Sequence, residues 1–160
     1  AVWGLVLNVV PHPARAVAEM ARIARPGGMV ALYVWDYADR MELMRYFWDA
    51  AAALGPAGRA PDEGIRFPVC RPEPLAQLFA QADLRDVETR AIDVPTVFRD
   101  FDDYWSPFLG GQGPAAGYAM AQDEAKPYAL KERIRAMLPI AADGTIPLTA
   151  RAWAVRGHTR

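Results

Sequence analysis

Three groups of residues in this 160-residue chain have side chains and spacing suited to holding a small ligand. Asn8, Val9 and Val10 close an apolar run over residues 1–10, and Trp35, Asp36 and Tyr37 close a second run that begins at Met29. If both runs are strands of an open α/β sheet, the two trios lie at the crevice beyond the carboxyl ends, where such sheets bind ligands. There Asn8 offers a neutral amide beside the apolar walls of Val9 and Val10, or else it satisfies backbone groups at a strand end, the usual turn role of asparagine. The third group, Tyr104, Trp105 and Phe108, supplies aromatic surface of the kind that walls a substrate pocket, and it would pack equally well as core.

Other residues invite chemistry less strongly. His12, in Pro11-His12-Pro13, has the titration range of a general base but no neighbouring carboxylate to orient it, and a solvated loop histidine accounts for it better. Arg66 could grip an anionic substrate group, against the simpler reading of a surface arginine beside a loop-anchoring Phe67. Gly111-Gln-Gly-Pro-Ala-Ala116 matches the spacing of a dinucleotide fingerprint, but it follows an aromatic helical segment and places proline where backbone donors are wanted. Asp100, Asp102 and Asp103 read as the cap and first turn of a helix rather than as metal ligands. Cys70 is the single cysteine, which rules out an internal disulfide and, with His12 and His158, makes no convincing zinc site.

The elements that must position these groups follow from periodicity. Residues 1–10 read as a strand buried on both faces and stopped by Pro11 and Pro13. Pro13 opens a helix through Arg25 with Val17, Met20, Ala21 and Ala24 on one stripe, and residues 29–35 form a second buried strand, parallel to the first. Asp39 followed by Glu42 predicts a capping box for a helix to about Leu54, whose stripe already accounts for Trp48. Residues 55–71 lack periodicity and read as a long loop; Pro72 or Glu73 opens another helix, and residues 85–94 alternate as a strand. The segment 98–138 breaks the βα alternation with helices at its start and over 123–138, and residues 145–156 return to extended character after Asp143-Gly144.

Arg22, Pro26, Gly27 and Gly28 complete a sequence of apolar strand, Pro-containing loop, helix ending in Arg-x-x-x-Pro-Gly-Gly, and second apolar strand. In this pattern the chain resembles the C-terminal portion of the class I S-adenosylmethionine-dependent methyltransferases. The resemblance implies an α/β fold: a partial Rossmann-like sheet of parallel strands with a C-terminal antiparallel strand at 145–156, and an inserted helical substrate cover at about 98–138. It implies S-adenosylmethionine as cofactor, with Asn8, Val9 and Val10 beside its methionine part and reacting methyl, and a small-molecule acceptor, for which the residues themselves offer Trp35, Asp36, Tyr37, Arg66, Tyr104, Trp105 and Phe108 as contacts. Methyl transfer is an in-line displacement that needs alignment and exclusion of water, so the want of a nucleophile-and-base pair is compatible with it.

The family's glycine-rich cofactor loop and ribose-binding acid do not occur in these residues, so weak cofactor binding is expected of the chain alone. The competing expectation is a non-catalytic binding or assembly module derived from such an enzyme. Either way, an apolar strand at 1–10 left at a sheet edge would favour a homodimer, with Val2, Leu5 and Leu7 at the contact.

Composition narrows the setting. With 52% hydrophobic and 23% charged residues the chain suits one globular domain with a substantial core. A net charge of −1 gives no general attraction to nucleic acid or an anionic membrane. No apolar run is long enough to span a bilayer, and a reducing cytoplasm is the expected compartment.

Overall fold

A computed structural model describes residues 1–110, 113–120 and 125–160, and the side chains of all of these except 125–127. The fold is α/β, and the chain divides into two compact units. The first comprises residues 1–36, 67–93 and 151–160, and the second residues 37–66 and 94–150.

The first unit carries most of the sheet, in the order β1-β2-β4-β3, with the end of β3 and the start of β4 running into the second. Strand β1 (Val2–Gly4) pairs parallel with β2 (Met29–Trp35), matching Val2 to Ala31 and Gly4 to Tyr33. Strand β4 (Ile146–His158) runs antiparallel to β2, from Met29 opposite His158 to Trp35 opposite Ala152. Beyond β4 lies β3 (Arg85–Phe98). Two ion pairs tie β4 to β3, Arg151 to Asp93 at 2.7 Å and Arg156 to Glu88 at 2.8 Å. Residue numbers rise on one strand as they fall on the other, which is the antiparallel register. Helix α1 (Pro13–Ile23) begins with Pro13 at its first position, where the missing N–H costs nothing. After it, Gly27 takes a φ of +67°, a conformation that glycine adopts without strain, and the chain turns into β2.

Several expectations need correction. Residues 1–10 are not one strand: only Val2–Gly4 is extended, Leu5 takes a left-handed φ of 56°, and Leu7–Val9 form a 3-10 turn. Asn8 and Val9 therefore lie in a turn beyond the strand, and Val10 is its extended C-cap. Apolar content alone does not distinguish a strand from a tight turn with a buried anchor, and here Leu7 is that anchor at 1% exposure.

The strands are not buried on both faces either. In β2, Val30, Leu32 and Val34 are buried whereas Met29 and Tyr33 are exposed, the alternation of a sheet with one covered face. Of the residues expected at a dimer contact, Val2 and Leu5 are exposed and Leu7 is buried. In this unit α4 (Pro72–Gln81) brings Phe79 against β4, where a Cβ at Gly157 would meet the Phe79 ring at 3.3 Å.

The second unit is helical and draws on α2 (Glu42–Leu54) and α3 (Glu63–Arg66) as well as α5 (Phe101–Trp105), α6 (Gly113–Met120) and α7 (Ala125–Met137). The loop expected over 55–71 thus contains a short helix. Residues 111 and 112 of the glycine-rich match, and 123–124 of the helix expected over 123–138, lie outside the described residues. The capping box at Asp39 does not form. Met41 is the N-cap of α2 without a side-chain bond, and the Glu42 carboxylate accepts from the Thr149 N–H at 2.7 Å instead. Asp100 does cap α5, accepting from the Asp103 N–H at 2.8 Å, and Arg99 pairs with Asp103, so these carboxylates are used locally.

An aromatic cluster forms the core of this unit. Phe47 stacks on Phe108 at 4.5 Å between centroids and meets the edge of Trp48 at 4.9 Å. Leu130, Ile134, Ile146 and Leu148 close around it.

Candidate functional site

In the sheet unit, the parallel pairing of β1 and β2 puts their carboxyl ends at the same end of the sheet. Asn8 is half-buried in the turn after β1, and no described residue hydrogen-bonds its side chain; Val9 is exposed and Val10 half-buried. At the end of β2, Trp35 is half-buried, while Asp36 is buried and its N–H donates to the Arg151 carbonyl at 2.9 Å. Burial, and secondarily the charge of Asp36, push the Cys70 thiol up to about 12, so this buried cysteine is a poor nucleophile. His12 is the exposed N-cap of α1.

The remaining expected residues belong to the helical unit. Tyr104 is fully buried and its hydroxyl donates to the Leu43 carbonyl at 2.9 Å; burial, with a smaller contribution from Tyr46, holds it well above the usual phenol range. Trp105 stacks parallel to Phe101 at 6.4 Å. Both are built into the aromatic core. Phe108 belongs to that core too, but it also lines a cavity of about 160 Å³. Tyr37 contributes its carbonyl to Arg45, and Arg66 is an exposed residue at the end of α3.

The cavity contains a group that the sequence did not single out, Glu63. Its placement is built in steps. Arg45 on α2 grips Asp62 with both ends of its guanidinium, at 2.8 and 3.0 Å, and reaches Asp49 at 2.7 Å. Burial lowers the affinity of Arg45 for its proton, but the bonds to Asp62 and Asp49 outweigh it and hold the guanidinium above its usual range. Asp62 then accepts from the Gly64 N–H at 2.8 Å, which fixes the start of α3. A Cβ at Gly64 would sit 2.8 Å from both Arg45 Nη1 and the Tyr37 carbonyl, so only glycine lets this turn lie against α2.

The turn delivers Glu63, 5% exposed, to the cavity wall, where its carboxylate accepts from the Trp48 Nε1–H. Burial raises Glu63 above the ordinary carboxyl value, and its hydrogen bonds to the backbone and Trp48 only partly oppose the rise. A raised carboxyl favours the fold below the unfolded value near 4.5, and that contribution fades as pH climbs through the raised value. Asp-Glu-Gly after a proline carries turn chemistry in sequence, but nothing local reveals the two partners on α2.

Among the described residues no group of three histidine, cysteine or acidic side chains is arranged to hold a metal, and no helix is long and apolar enough to cross a membrane.

No protein-family model and no curated protein matches the chain in sequence. Among solved structures it is similar to a protein from Bacillus halodurans C-125 described as a putative methyltransferase, with a TM-score of 0.50 and 10% identity. The match covers 98% of this chain and 62% of that one, so the chain spans less than two thirds of its structural neighbour. At that identity the likeness is one of fold: a mixed α/β chain resembling a methyltransferase fold.

Proposed function

We propose that this chain is the C-terminal portion of an S-adenosylmethionine-dependent methyltransferase acting on a small-molecule acceptor. The observation that carries the reading is the strand order β1-β2-β4-β3, in which the last strand in sequence runs antiparallel between two earlier ones. That arrangement is the sheet ending implied by the Arg22…Pro26-Gly27-Gly28 pattern, and the structural neighbour supports the same fold.

The residues at the sheet's ligand end fit one part of such a cofactor. Asn8 provides a neutral amide and Val9 and Val10 provide apolar surface, a set suited to the methionine part. No glycine-rich turn between a strand and a helix N-terminus, the usual cradle of a nucleotide, occurs among the described residues. When bound, S-adenosylmethionine supplies an electrophilic methyl. The task of the protein is then to fix the acceptor in line with it and to keep water out.

In the protein translated from the complete reading frame, Asn8→Ala is expected to lower turnover about tenfold or more while leaving the melting temperature in place. Turnover and thermal melting measured on the same preparation check it. Equal loss of both, or unchanged turnover, would remove Asn8 from the site.

A further inference from the structure

We infer that the Glu63 cavity of the helical unit is a binding site for a compact apolar group that carries a protonated amine. At about 160 Å³ the cavity, which opens on one side to solvent, has room for a single ring, an enclosed apolar hole of about 150 Å³ being enough for benzene. Leu43, Met44, Pro107, Phe108 and Ala116 give it apolar walls, and Glu63 is the charged side chain among its lining residues. An apolar hole with one convergent polar group is the usual form of a small-molecule site.

The amine follows from the charge balance around Glu63. A buried carboxylate is costly unless a cation or several donors meet it. The Trp48 N–H is a neutral donor, and the guanidinium of Arg45 is committed to Asp62 and Asp49. Of the charged neighbours, Asp62 opposes ionisation of Glu63 and Arg66 favours it more weakly. An ammonium entering the cavity favours the ionised form of Glu63 that burial opposes, through a charge-assisted hydrogen bond roughly twice as strong as one from a neutral hydroxyl.

Benzylamine, benzyl alcohol and toluene are the probes, titrated into the 160-residue chain while the Trp48 indole Nε1–H resonance is followed by NMR. No methyl donor is needed, so failure here and failure of the methyl-transfer reading are separate results. Benzylamine is expected to move the resonance saturably and to bind at least about tenfold tighter than either neutral probe. Glu63→Gln keeps the shape and an acceptor for Trp48, and should erase that preference while toluene binding persists. Ala116→Leu, which fills the hole, should abolish binding of all three, with circular dichroism confirming its fold. Equal affinity for the three probes, a preference that survives Glu63→Gln, binding that survives Ala116→Leu, or no saturable shift would each overturn the proposal.

Discussion

Trp48→Ala is expected to destabilise the chain by about 3–5 kcal/mol, the range for deleting a large aromatic ring from a packed interior. The ring is fully buried, meets Phe47 at 4.9 Å and Tyr118 at 5.7 Å, and no solvent-facing atom softens the loss. The same change takes the indole donor from Glu63 and leaves a buried carboxyl with one bond fewer, which adds to the cavity cost. Urea unfolding followed by near-ultraviolet circular dichroism measures the total. Trp48→Phe separates the terms, because it keeps most of the packing and loses the hydrogen bond. A loss under about 1 kcal/mol for the alanine variant would show that the aromatic cluster does not organise the helical unit.

Arg45→Ala should cost about 3 kcal/mol, at the low end for breaking a buried ion pair because the Arg45 side chain keeps 15% exposure. The cost arises chiefly from Asp62, whose 9% exposed carboxylate loses both bonds of the fork while still accepting from Gly64. Arg45→Lys retains charge but not the fork, and should fall between the two. A double-mutant cycle with Asp62→Ala isolates the coupling, expected at more than about 1 kcal/mol. Additive single effects would mean that the pair does not position α3.

What could be read from the sequence was whatever local residues determine. The apolar run Met29–Trp35 after Pro26-Gly27-Gly28 is β2. Asp100 caps its helix, and Asp143-Gly144 makes a turn in which Asp143 accepts from the Thr145 N–H. Strand β3 runs past the expected 85–94 to Phe98, and Pro95 is accommodated because a strand at the end of the sheet order tolerates a residue with no N–H to donate. Asp39 and Glu42 had the spacing of a capping box, but Glu42 found a partner 107 residues away at Thr149. Glu63 was hidden for the same reason. Its setting depends on Trp48 and Arg45, 15 and 18 positions earlier on another helix, and no pattern within the loop encodes that distance. Asn8 and Val9 sit in a turn whose left-handed entry at Leu5 no propensity argument predicts.

Isothermal titration of S-adenosylmethionine tests the methyltransferase reading most directly. The 160-residue chain alone should give weak or unsaturable heats, because in the proposed reading Asn8, Val9 and Val10 meet only the methionine end of the cofactor, whereas the protein from the complete reading frame should bind one equivalent saturably. Absence of saturable binding by that protein would contradict the assignment, and low-micromolar binding by the 160-residue chain would contradict the division of the site proposed here.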